Sequence, residues 1–261
     1  MNPRRVKAML LKHWYVTKHS LDRVMDLFYW PFMSLLLWGF TMKYLSDYTT
    51  GPNLANLFLG GLILYTFFQR MQQDVSLYIL EDFWNWNINN IFVTPLTLWE
   101  FIGSTLILGL FRAIITFVVL GVGALVIYSF NIMSGGVFGI VALATALMLF
   151  AWALGLFMTS FIFYKGTQVQ FFAWSVAFLL QPFVGAYYPV TVLPAWMIKV
   201  AYLLPPTYVF EGMRLALSTG VVPWYHIGMT LALDVPYLIV GYLALKKSIE
   251  HARMSGRIAS N

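Results

Sequence analysis

Long apolar runs alternate with short polar breaks along the chain, and their lengths predict helices that cross a membrane. Residues 25–45, 54–74, 101–128, 137–161, 168–188 and 227–245 are almost free of charge, and about 20 such residues let a helix cross a hydrocarbon core about 30 Å thick. Six crossings result. Ahead of them, residues 1–24 set Val6, Met9, Leu10, Trp14 and Leu21 at rough helical spacing among Arg4, Arg5, Lys7, Lys12, Lys18 and Arg23. That is the pattern of an interfacial helix lying in the headgroup plane with its cations toward anionic lipid. No short apolar core with a small-residue cleavage site follows, so the segment is expected to belong to the mature protein and not to a signal peptide.

Two stretches depart from the pattern. The second crossing turns polar at Gln69, Arg70, Gln72, Gln73 and Asp74, so its end is expected to reach water. Residues 76–99 follow, interrupted by Glu81, Asp82, Asn85, Asn87, Asn89 and Asn90 and expected in the cytoplasm. Within them Thr94-Pro95-Leu96-Thr97 reads as a turn opening the third crossing, because proline suits a first helical turn and threonine suits a cap. Residues 189–225 are apolar but broken by Pro189, Pro194, Pro205, Pro206 and Pro223. No single helix passes through those prolines. Two short helices over residues 194–203 and 207–218 are expected instead, forming a re-entrant hairpin at the outer face. Pro31 and Gln181-Pro182 are expected to kink their helices, and residues 246–261 form a cytoplasmic tail.

Composition agrees with this layout. The 261 residues are 60% hydrophobic and only 10% charged, against about 25% charged in an ordinary soluble domain. A soluble globule cannot hide that much apolar surface, and one all-α membrane domain over residues 1–261 is expected. The net charge of +6 gathers at the two ends, in the first 23 residues and at Lys246, Lys247, Arg253 and Arg257. This points to orientation by the positive-inside effect, with both termini cytoplasmic, and not to nucleic acid. Cysteine is absent, which excludes disulfides, a thiol nucleophile and cysteine metal sites.

The residues offer little catalytic chemistry. His13, His19, His226 and His251 lie in separate segments, and the chain has no His-Glu-x-x-His pair, Gly-x-Ser-x-Gly elbow or phosphate-cradling Gly-x-x-x-x-Gly-Lys loop. No catalytic residue, metal or bound cofactor is therefore expected on this chain. Depth arithmetic singles out one charge pair. Arg112 lies roughly 18 Å above the start of its span and Asp234 roughly 12 Å below the outer end of its own, so in a core of about 30 Å they meet. An ion pair is expected, since a lone charge there is costly; it serves either as a clamp between spans or as a substrate contact or gate. Glu211 and Arg214, three residues apart, are neighbours on one helix face, as a local pair or a functional one. Tyr187, Tyr188, Trp196, Tyr202 and Tyr208 cluster around the hairpin, either as an interfacial aromatic belt or as rings for stacking on sugars.

The order of these segments resembles the permeases of type-2 ABC transporters, the ABC-2 family. The resemblance is carried by Val93-Thr94-Pro95-Leu96-Thr97-Leu98-Trp99-Glu100, by Gly185-Ala186-Tyr187-Tyr188-Pro189-Val190-Thr191-Val192-Leu193-Pro194-Ala195-Trp196, by Leu204-Pro205-Pro206-Thr207-Tyr208 and by Glu211-Gly212-Met213-Arg214. The last three resemble the family's outer-hairpin signature. The resemblance implies a permease that pairs with a second copy to form the translocation path, and with separate ATPase subunits that carry ATP and Mg²⁺. It also implies a coupling helix over residues 76–90 that docks on the ATPase, with Glu81, Asp82, Trp84 and Trp86 as its contacts; anchoring in the interface is the other reading of the two tryptophans. Export of a lipid-linked glycan or another amphipathic molecule is the implied activity in the cell membrane, with drug, antibiotic or lipid efflux as the alternative. From other classes, a membrane-embedded enzyme would require converging acids or histidines, and a passive channel would need no docking element.

Overall fold

The computed structural model describes residues 2–47, 54–85, 87 and 93–254. Among these residues the regular structure is helical throughout. We number the α-helices α1 (Pro3–Lys18), α2 (Leu21–Asp47), α3 (Leu54–Trp84), α4 (Leu98–Tyr128), α5 (Val137–Lys165), α6 (Gln170–Leu180), α7 (Ala195–Ala201), α8 (Pro205–Thr219) and α9 (Trp224–Met254). Three of them, over Trp99–Tyr128, Val137–Lys165 and Trp224–Ala252, are by themselves long and apolar enough to cross a membrane.

Local chemistry sets the ends of these helices. Pro3 opens α1 behind Asn2, whose side chain accepts from the Arg4 N–H, satisfying a donor that no helical carbonyl reaches. A capping box opens α4: the Thr97 hydroxyl accepts from Glu100 N–H at 3.3 Å and the Glu100 carboxylate accepts from Thr97 N–H at 2.9 Å. Gly220, at φ 70°, stops α8 in the left-handed region that costs glycine nothing. Pro31 and Pro236 lie inside α2 and α9, which continue through them.

Several expected boundaries move. The second crossing does not end in water at Asp74: α3 is one helix of 31 residues to Trp84, and Arg70, Gln72, Gln73, Asp74 and Ser76 are buried. Partners on α2 and α4 make that burial possible, as described below. The fifth apolar run is helical only over Gln170–Leu180; at Gln181-Pro182 the chain leaves the helix and turns, so the proline terminates it instead of kinking it. The proline-broken segment does hold two short helices, α7 and α8, close to the expected bounds. Helix α1 runs beside α4 in the same sense, with Asn2 and Arg5 at Glu100 and Trp14 at Phe111.

Helix α3 is the centre of the bundle, touching α2, α4, α5, α6 and α8. Its upper half buries Tyr65 and Phe68 against Phe150 and Phe210. Its lower half buries Ile79 and Leu80 with Met9, Phe101, Ile102 and Phe163. Helices α5 and α9 run parallel in close contact: Gly241 lies against the Ala153 carbonyl, Phe150 meets the Tyr237 ring edge-on, and Ser248 Oγ donates to the Ser160 carbonyl. Their proximity depends on small side chains at the seam.

Candidate functional site

Lower α3 carries Arg70, Asp74, Tyr78 and Asp82 four residues apart, so that they stack along the helix, with Glu81 three residues after Tyr78 beside them. Each finds a partner from a different helix. Arg70 bonds both the carboxylate and the backbone carbonyl of Asp26 on α2. From α4, Arg112 donates to Asp74 Oδ1 at 2.9 Å, to Tyr78 Oη at 2.8 Å and to Asp26 Oδ2 at 3.3 Å. Lower down, Arg23 of α2 meets Glu81 at 2.6 Å and Lys12 of α1 meets Asp82 at 2.6 Å. Asn87 adds a second hydrogen bond to Asp82, and Arg5 approaches Glu100 at 3.5 Å.

These charges join α1, α2 and α4 to α3. Asp74 is fully buried and Arg112 nearly so. A buried ion costs several kcal/mol unless it is paired and hydrogen-bonded, so each charge here depends on the others being in place. Burial pushes the Glu81 carboxyl above its ordinary range while Arg23 pulls it back. His13 lies against Tyr78 with ring centres 4.6 Å apart; burial, then Lys12, push it down to about 4.

The expected ion pair between Arg112 and Asp234 does not form. Arg112 turns to Asp74, Tyr78 and Asp26, and neither carboxylate oxygen of Asp234, on α9, has a hydrogen-bond partner among the described residues. The physical reason is the unbroken length of α3: it carries Asp74 inside the bundle, within 2.9 Å of Arg112, and not into water. The period of Arg70, Asp74, Tyr78 and Asp82 was the signal that the helix continues. Glu81 and Asp82 hold arginine and lysine of their own chain, Trp84 at the end of α3 is exposed, and Trp86 lies outside the described residues, as do residues 88–92.

Above the charged layer a cavity of about 320 Å³ opens between α2, α3 and the α6 region. Trp30 and Trp38 of α2, Trp174 and Phe178 of α6, and Tyr187 beyond it supply ring faces; Gln69, Gln73 and Gln181 supply amides; Asp26 and Arg70 form its charged floor. Asp26 thus belongs to both the cavity and the buried network.

The hairpin residues hold the turns after α6 in place. Arg214 donates to the Gly185 carbonyl at 2.8 Å and to Glu211 at 2.9 Å, and Glu211 accepts from the Val190 N–H at 2.9 Å. The Glu211–Arg214 pair is therefore also a clamp between α8 and residues 185–190. Tyr187 is packed against Phe58 and Tyr65, and Tyr188 Oη donates to the Pro182 carbonyl at 2.7 Å. Pro194 and Pro205 sit at the starts of α7 and α8; Tyr208 is buried against Tyr202, and Trp196 is exposed at 63%. These rings do not form one stacking surface: Tyr187 faces the cavity while Trp196 faces outward.

The family model described as ABC-2 type transporter matches residues 15–217, from within α1 to the end of α8. No curated protein sequence matches the chain.

Proposed function

The chain belongs to the ABC-2 type transporter family, and on that premise we propose that it is the membrane permease of an ATP-driven exporter. It is an integral membrane protein and a transport component. In this reading α2, α3, α4, α5, the α6 region and α9 make six crossings of the cell membrane, both termini face the cytoplasm, and two copies of the chain enclose the path. A separate ATPase subunit binds ATP and Mg²⁺ and docks at the lower end of α3. Trp84 is the exposed contact there, while Glu81 and Asp82 fix that end to Arg23 and Lys12.

The observation that carries the proposal is the sharing of Asp26. It lies on the floor of the aromatic cavity and also binds Arg70 and Arg112 of the buried network, whose next members reach the end of α3. ATP-driven motion acts on a cargo site only through contacts that differ between states, and this network, with Arg112 on Tyr78 and Arg23 over the Tyr78 ring, links the cavity floor to the end of α3. The cavity's rings and amides suit a lipid-linked glycan: ring faces take the apolar faces of sugars, and amides take hydroxyls. Drug, antibiotic or lipid efflux is the second reading, favoured by the ring faces alone.

The test is reconstitution of the chain with its ATPase in vesicles. A lipid-linked oligosaccharide is expected to stimulate ATP hydrolysis and to cross only when ATP is present. Replacing Glu81, Trp84 and Trp86 together by alanine is expected to leave basal hydrolysis and abolish the stimulation. Uphill movement of cargo by the chain alone, or full coupling in the triple variant, overturns the proposal; stimulation by apolar drugs and not by the glycan selects the second reading.

A further inference from the structure

Between α1 and the first turns of α4 runs an apolar trough of about 270 Å³. Leu10, Leu11 and Trp14 form one wall and Ile107 and Phe111 the other, with Lys7 at the edge. Because α1 and α4 run in the same sense, Lys7 lies toward the Thr97–Glu100 cap of α4 and Trp14 farther along, at Phe111. Beyond Phe111 the exposed face of α4 stays apolar at Ile114, Val118 and Val122, each about half exposed and spaced by three or four residues. From Ile107 to Val118 the rise is about 16 Å, close to half of a hydrocarbon core about 30 Å thick, which is the reach of one acyl chain.

Charge marks the other end. Arg5 and Lys12 are engaged by Glu100 and Asp82. Arg4 and Lys7, one turn apart on the face that carries Leu11 and Trp14, are exposed and form no ion pair among the described residues. An apolar trough that leads onto an apolar helix face one leaflet deep, headed by two uncommitted cations, fits one kind of molecule. We propose that this trough is a binding site for an anionic phospholipid, with an acyl chain between α1 and α4 and the phosphate on Lys7 and Arg4. Such a lipid would brace α1 against α4 on the side away from Glu100.

The test places the full chain in phosphatidylcholine nanodiscs containing a minor fraction of phosphatidylglycerol or phosphatidylcholine with brominated acyl chains, which quench tryptophan on contact. Trp14→Phe gives by difference the part of the fluorescence that comes from Trp14. Phosphatidylglycerol is expected to quench that part more strongly than phosphatidylcholine at equal fraction. Lys7→Gln is expected to lower the preference about fivefold, the attraction of one cation near a membrane surface. Lys165→Gln, at the end of α5 and not among the residues that line the trough, is expected to leave it unchanged. Equal quenching by the two lipids, or equal loss of preference in the Lys7 and Lys165 variants, overturns the site in favour of general surface attraction. Quenching by neither places a protein chain in the trough and overturns it too.

Discussion

Arg112→Met leaves Asp74 buried without its guanidinium and Asp26 without one of two partners. Breaking a buried pair by removing one member costs about 3–5 kcal/mol, and a large fall in the unfolding midpoint in detergent is expected. Asp234→Asn is the contrasting case: its buried carboxylate has no partner to lose among the described residues, and removing an unpaired buried charge is expected to leave the midpoint no lower than that of the parent protein. Equal effects of the two substitutions contradict the assignment. His13 adds a pH dependence. Its pKa is depressed in the folded state to about 4 from 6.5, so the folded chain holds it neutral. The stability it contributes is complete above pH 6.5 and declines as pH falls toward 4, because the unfolded chain gains a proton that the folded one refuses. The protection of α1 amides against hydrogen exchange, taken relative to the intrinsic exchange rate at each pH, is therefore expected to fall between pH 7 and 5, and His13→Gln is expected to flatten that response. Depth along separate helices, which paired Arg112 with Asp234 in the sequence reading, fixes height but not the direction a helix faces, and so misses Asp74.

At the scale of elements, caps and prolines were the legible signals. Thr97 and Glu100 form the expected helix start, and Pro194 and Pro205 precede or open two short helices. Less legible was the lower half of α3, where polar residues are buried because other helices bring charges to them; local composition cannot report partners 34 or more residues away. The same limit hid the α5–α9 seam. A methyl group added at Gly241 would stand 2.6 Å from the Ala153 carbonyl, closer than packed atoms allow. Gly241→Ala is expected to separate the two helices and to cost about 1–3 kcal/mol, read as a lower thermal midpoint, whereas Gly228→Ala, with open space around it, is expected to leave the midpoint in place.

For the whole molecule, the all-helical architecture was readable because apolar runs of crossing length need no knowledge of contacts. Among the described residues three helices are long and apolar enough on their own terms, and the proposed six crossings draw also on α2, α3 and the α6 region, whose polar residues face the cavity and the network. The absence of cysteine gives a direct check. Single cysteines at Asn131 and Ser218 are expected to react with an impermeant maleimide added outside intact cells, and those at Thr94 and Lys165 only after the membrane is opened. Labelling of Thr94 from outside contradicts the proposed topology.

The unbroken length of α3 has a mechanical consequence. Its ties to Arg112, at Asp74 and Tyr78, divide a stiff beam into unequal arms: about 9 Å down to Trp84 and about 30 Å up to Leu54. A beam pivoting on that fulcrum multiplies travel, so a push of about 1 Å at the short arm swings the far tip by about 3 Å in the opposite direction. A modest stroke from below would thus become a wide sweep beside the tryptophans above.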